Sequence, residues 1–192
     1  LVSSEFPPGP GGIGNHAFNL FKSLDNFGWD ITIFTKQLFV LEKVKIDFNN
    51  KLKKTIYNMH HKTNPFSFIK SVFFLIKIIK KHNIQIIICS GLISTFLVGI
   101  YNIFSKKKIT ITIIHAGEYL SNNSFVRMIS KYFINKSNKI ICVSNFTKNK
   151  NIEYGINKNL IKVIYNGADI KDKYEFNQDR IGKYPMINND NK

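Results

Sequence analysis

Cysteine, arginine and acid are the scarce chemistries of this 192-residue chain. Its two cysteines, Cys89 and Cys142, sit inside apolar runs. Two are too few for a disulfide framework, which excludes a secreted disulfide scaffold and leaves them as small buried hydrophobes of a reducing compartment. Only 12 Asp+Glu oppose 28 Lys+Arg, a formal net charge of +16. Yet Arg127 and Arg180 are the only arginines, and lysine that rises together with Ile and Asn is what an AT-rich coding sequence produces. Base readout favours arginine and exposed aromatics, so the composition argues against a dedicated nucleic-acid surface and leaves an anionic lipid surface as a partner for a basic face. No Met opens the chain, and Leu1-Val2-Ser3 reads as the tail of a strand; the expectation is an N-terminal strand that has lost its first residues.

A long hydrophobic span is lacking too. The longest uncharged stretch, residues 84–105, has the length of a membrane crossing but contains Gln85, Ser90, Gly91, Ser94, Thr95, Gly99 and Asn102. It divides at Ser90-Gly91 into a β-branched run and a helical pattern, which a buried strand and helix explain better. With 44% hydrophobic and 21% charged residues, the chain has the material for a packed core, which rules out a disordered protein.

Strands and helices alternate along the sequence. Short strands are expected near residues 1–3, 31–34, 55–57, 84–89, 109–114, 139–143 and 161–164, the internal ones apolar at almost every position, as strands buried on both faces are. Helices are expected over residues 13–27, 66–81, 91–104 and 123–137, and from an N-cap at Ser144 to Gly155, with a Lys-rich excursion between the second and third strands. The pattern predicts an α/β domain, a Rossmann-like parallel sheet with helices on both faces, spanning residues 1–170. Residues 171–192 read as a linker or disordered tail.

Ligands in such sheets sit beyond the carboxyl ends of the strands. That directs attention to residues 3–14, Thr35-Lys36, Ser90-Gly91, residues 115–118, Ser144-Asn145 and residues 165–169. Gly9, Gly11 and Gly14 formally match G-x-G-x-x-G between a strand and a helix. However, Glu5-Phe6-Pro7-Pro8 intervene after the strand, and the second strand ends in Thr35-Lys36 without the acidic residue that would hold a ribose. A nucleotide-dependent oxidoreductase is therefore a poor fit. Gly11, Gly12 and Gly14 would still let backbone N–H groups at a helix start face a phosphate, or would simply permit a turn with positive φ.

Ser3-Ser4-Glu5-Phe6-Pro7-Pro8, then Gly11-Gly12-Ile13-Gly14 opening a helix, closely resembles the start of the N-terminal domain of the family 4 type retaining glycosyltransferases, which have the GT-B fold. Ile140-Ile141-Cys142-Val143-Ser144, followed by residues 157–165 and Asn166-Gly167-Ala168-Asp169, is similar to the family's stretch leading into the interdomain linker, with Ala168 where the family usually has Val. The two signatures bracket nearly the whole chain.

The resemblance implies the acceptor-side half of a two-domain enzyme that moves a hexosyl unit from a nucleotide-diphosphate sugar to a sugar or lipid-linked hydroxyl with retention of configuration. The C-terminal donor-binding domain is absent from the sequence, so the 192 residues alone are expected to be nearly inactive. It also implies polysaccharide assembly in the bacterial cytoplasm, with a peripheral position on the inner membrane face as a further expectation, and no metal or other cofactor, the diphosphate being neutralised by side chains and helix N-termini. His115, which ends the strand at 109–114, would by this resemblance hydrogen-bond the donor sugar; by position alone it is equally a packed core histidine. Glu118 would bind acceptor hydroxyls or cap the next helix. His60-His61 have no acidic or thiol neighbour at ligand spacing, His82 reads as a helix C-terminal residue, and Cys142 as an inert thiol. The helix at 66–81 alternates Phe66, Ile69, Phe73 and Ile76 with Lys70, Lys77, Lys80 and Lys81, either a helix packed on the sheet or one that docks on anionic lipid. A basic, non-catalytic binding module is the remaining alternative.

Overall fold

The computed structural model describes residues 1–59, 64–105, 108–115 and 123–167. Seven strands form one sheet in the order β3-β2-β1-β4-β5-β6-β7, and every adjacent pair is parallel. The strands are β1 (Val2–Ser3), β2 (Ile33–Thr35), β3 (Ile56–Asn58), β4 (Ile86–Ser90), β5 (Ile109–Ile114), β6 (Lys139–Cys142) and β7 (Ile161–Val163). Between them run α1 (Gly12–Asn26), α2 (Glu42–Leu52), α3 (Pro65–Lys81), α4 (Leu92–Phe104), α5 (Ser124–Ile134) and α6 (Asn145–Glu153). This is the Rossmann-like arrangement expected from the alternation.

The β2 sequence shows how two residues serve two layers. Side chains alternate across a strand, so Ile33 packs with Phe6, Ala17 and Phe21 on the α1 side, while Phe34 joins Val2, Leu75, Ile87, Cys89 and Leu97 on the α3–α4 side. Local signals fix the helix starts. The Asn64 side chain accepts from the Ser67 amide at α3, Asn123 accepts from Phe125 and Val126 at α5, and Ser144 accepts from Thr147 at α6, each satisfying an otherwise orphaned donor. His82 caps α3 as expected, its ring 2.9 Å from the Tyr57 hydroxyl.

Two expectations need correction. The Lys-rich excursion contains a helix, α2, whose contribution to the core is limited to Phe48 and Leu52 packed beside Phe6 and Ile33. The β4–β6 strands are also not buried on both faces: Ile86, Ile88, Ile111 and Ile141 are half-buried, and Ile109 is 52% exposed. The cause is topological. Right-handed crossovers to β5, β6 and β7 all advance in one direction and lay their helices on one face, so the opposite face of that half relies on α1, which packs over β1 and β2.

Both cysteines are buried and free. The Cys89 thiol contacts Thr112 Oγ1 at 3.1 Å, and burial pushes both thiols up to about 11, so neither is a thiolate nucleophile at neutral pH. No helix among the described residues is long and apolar enough to cross a membrane.

Candidate functional site

The strand order reverses at β1. The chain first steps outward to β2 and β3, then returns past β1 to β4, leaving a crevice above the carboxyl ends of β1 and β4 where crossover helices depart to opposite faces. Serines line that crevice because a larger side chain would close it. The Ser4 amide donates to the Ser90 carbonyl at 2.9 Å, prolonging the β1–β4 ladder by one residue. The Ser94 amide donates to Ser4 Oγ at 3.2 Å, and Ser94 Oγ donates back to Ser90 O at 2.6 Å. Gly91 completes the close approach: its φ is +89°, and a Cβ there would lie 2.5 Å from Ser4 Oγ. Thr35, at the end of β2, is spent on the Ser3 carbonyl at 3.0 Å, and Lys36 beside it is buried.

His115 follows β5 directly into this crevice. Its Nε2 lies 2.7 Å from Ser90 Oγ, and Thr147 Oγ1 of α6 donates to its carbonyl at 3.4 Å. Against its ring stands a residue the sequence reading did not single out. His16, in the second turn of α1, meets His115 edge to face with ring centroids 4.5 Å apart and interplanar angle 78°. The signal was present, because His16 falls at i+3 from Ile13 and i−4 from Leu20, inside the apolar stripe that marks the buried side of α1. Its Nδ1 is buried and has no hydrogen-bond partner among the described residues.

Burial drives the electrostatics of the pair. Desolvation holds the His115 imidazole down to about 4, with a smaller contribution from the charge His16 would carry, and desolvation lowers His16 as well. With both imidazoles lowered, the rings are neutral at physiological pH and the pair brings no cation into the crevice.

The three glycines of the opening turn have different tasks. Gly11, the N-cap of α1, has φ +138°, and a Cβ on it would fall 2.0 Å from Glu5 Oε2. A Gly14 Cβ would press on the Phe6 backbone at 3.2 Å, whereas Gly12 has nothing within 4 Å. Among the described residues no side chain makes a capping hydrogen bond to the helix, and the Glu5 carboxylate lies against its N-cap beside the open Gly12. Gln37 Nε2 fixes the loop from outside by donating to the Pro7 carbonyl at 2.7 Å and to Asn49 Oδ1 at 2.8 Å. On the far side, Asn145 donates to the Tyr165 hydroxyl at 2.8 Å, joining the 144–145 and 165 segments. Glu118, Ala168-Asp169, His60-His61 and residues 171–192 lie outside the described residues.

With the crevice defined, comparison with known proteins becomes decisive. The family model of Glycosyltransferase Family 4 matches residues 10–172. The chain belongs to glycosyltransferase family 4. It is the N-terminal, GT-B-type domain, as solved structures of similar fold indicate. One is Anabaena Alr3699/HepE, solved in complex with UDP-glucose: 16% identity, TM-score 0.62, 88% of this chain and 44% of that one. Another is the lipopolysaccharide outer core galactosyltransferase WaaB in its apo form: 18% identity, TM-score 0.64, 88% and 46% covered. UDP-GlcNAc 2-epimerase from Methanocaldococcus jannaschii shares the fold as well, at 16% identity and TM-score 0.61, with 86% and 45% covered. The family 4 chain thus spans less than half the length of these structures. No curated protein sequence matches it significantly.

The lowered His115 has a measurable consequence. A histidine whose folded pKa of about 4 lies below its ordinary value near 6.5 contributes stability above pH 6.5 that is lost as pH falls toward 4, because the unfolded chain takes the proton first. Urea unfolding at pH 7 and pH 4.5 is expected to show a clear loss for the native sequence and a smaller loss for His115→Gln; equal losses would contradict a buried neutral His115.

Proposed function

We propose that this domain is the acceptor side of a retaining glycosyltransferase that moves a hexosyl unit from a nucleotide-diphosphate sugar to a sugar or lipid-linked hydroxyl. The observation that carries the reading is His115 at the strand-order reversal, held by Ser90 and faced by His16. A neutral imidazole suits this chemistry. As positive charge grows at the anomeric carbon, an uncharged ring can orient a sugar hydroxyl without opposing that charge, whereas an imidazolium would repel it. The same crevice borders the first turn of α1 at Gly12, where the helix dipole favours a sugar oxygen beside the Glu5 carboxylate that lies against the N-cap. In this reading Gly11 and Gly14 shape the turn and Glu118 contacts the acceptor.

The likeness to Anabaena Alr3699/HepE, solved in complex with UDP-glucose, supports a nucleotide sugar as donor. Most of the donor would rest on a second, C-terminal domain, so the 192 residues alone would transfer little sugar. Metal is not required, since amides and basic side chains neutralise the diphosphate. In the two-domain enzyme, assayed well below its unfolding temperature, His115→Ala is expected to lower kcat/KM about 100-fold, with some loss of stability because Ser90 Oγ loses its partner. Full activity in that variant would remove His115 from the site and the reading with it.

The outer helices favour a membrane partner on the cytoplasmic side, in an enzyme of polysaccharide assembly. No acidic residue occurs in α3, α4 or α5. Phe66, Ile69 and Phe73 are 76%, 51% and 63% exposed beside exposed Lys70, Lys77 and Lys80. Lysines near anionic lipid contribute about 1 kcal/mol each, and the apolar side chains can enter the interface. Co-sedimentation with phosphatidylglycerol vesicles is expected at low salt and to weaken at high salt and in a Lys70→Glu/Lys77→Glu variant. No binding at low salt would end the membrane proposal without touching the transferase reading.

A further inference from the structure

The Ser90 hydroxyl occupies an unusual position for a hydrogen-bonding group at a ligand crevice. Ser90 is 0% exposed, and its Oγ lies 2.7 Å from His115 Nε2. Its carbonyl is separately engaged, by the Ser4 amide and Ser94 Oγ. Among the described residues, no acceptor other than that ring nitrogen is bonded to the Ser90 hydroxyl.

A hydroxyl carries one proton to donate and a neutral imidazole carries one N–H, so the pair has two arrangements. If Nε2–H donated to Oγ, the serine proton would be buried with nowhere to go, and an unmet buried donor suffers its full desolvation. If Ser90 O–H donates to Nε2, both groups are satisfied and the remaining proton of the neutral ring sits on Nδ1. His16 adds to the constraint by standing edge to face with the His115 ring at 4.5 Å, limiting the rotation that would exchange the two nitrogens.

We infer that Ser90 is a positioning residue: by donating to Nε2 it fixes His115 as the Nδ1–H tautomer, so that the ring offers a ligand a hydrogen-bond donor rather than an acceptor. The consequence for sugar recognition rests on the transferase reading above; the tautomer does not. With the proton on Nδ1, the ring meets an oxygen lone pair on the ligand, and the Ser90 hydroxyl rather than the bulk solvent decides which nitrogen is available.

The test is a long-range proton–nitrogen spectrum of the 192-residue chain, selectively nitrogen-15-labelled at its five histidines, at pH 7.5, with His115 assigned by loss of its signals in His115→Gln. The expected result is a protonated, pyrrole-type Nδ1 and an unprotonated, pyridine-type Nε2. In Ser90→Ala that preference should be lost, with both nitrogens moving toward averaged shifts, and Ser90→Thr, which keeps the hydroxyl, should restore it. A pyrrole-type Nε2 in the native chain would overturn the inference, as would an unchanged His115 spectrum in Ser90→Ala. Should Ser90→Ala fail to fold, the native and Ser90→Thr spectra decide the matter. The spectrum needs no ligand, so loss of the transferase reading would leave the tautomer standing. A wrong tautomer would leave that reading standing with the proton on the other nitrogen.

Discussion

The Ser4 amide reaches across to the Ser90 carbonyl one residue beyond the paired ends of β1 and β4, at 2.9 Å. This contact holds the place where the strand order turns back on itself, and the crevice exists because the two crossover helices that begin there leave for opposite faces. Its closeness dictates the local sequence. Ser4 must be small to sit against α4, Gly91 must lack a Cβ to sit against Ser4, and Ser94 must supply the hydrogen bonds that a larger neighbour would block. A parallel sheet of this kind derives no polar chemistry from its apolar strands. The chemistry is confined to the last residue of each strand and those just past it, which is why Ser90, ending β4, and His115, following β5, converge from adjacent strands.

Burial gives the two histidines their character. Each ring loses hydration in the crevice, and His115 would also feel a charge on His16, so both stay neutral where an exposed imidazole would begin to protonate. A neutral pair is compatible with a reaction that builds positive charge at carbon, and it also spares the fold a buried cation. Site and stability therefore draw on the same desolvation.

Much of the fold was legible in the sequence because its signals are local. The run Ile109–Ile114, the cap Ser144 and the apolar stripe of α1 each specify an element with little help from the rest of the chain. α2 was not legible: it buries little beyond Phe48 and Leu52 and presents a Lys-rich surface, so its periodicity is weak. The half-covered face of β4–β6 was hidden for a different reason, since an Ile-rich strand reads the same whether one side or both are covered, and the handedness of successive crossovers determines which. Within the site, His115 was readable from its place after a strand. His16 was hidden by its own stripe, where a polar residue among Ile13, Ala17 and Leu20 looks like a helix interruption until the ring it faces is known. Ser90 was marked only by its place at the carboxyl end of a strand; that it pairs with His115 was hidden, because its partner lies 25 residues away.

The central claim is that ligand binds above the β1–β4 reversal. Hydrogen exchange of the two-domain enzyme, measured by mass spectrometry with and without a nucleotide-diphosphate sugar, addresses it most directly. Protection is expected in peptides covering residues 4–16, 90–94 and 115. Protection confined to the opposite edge of the sheet, around Thr32 and Ile84–Ile86, with those three segments unchanged, would contradict the account.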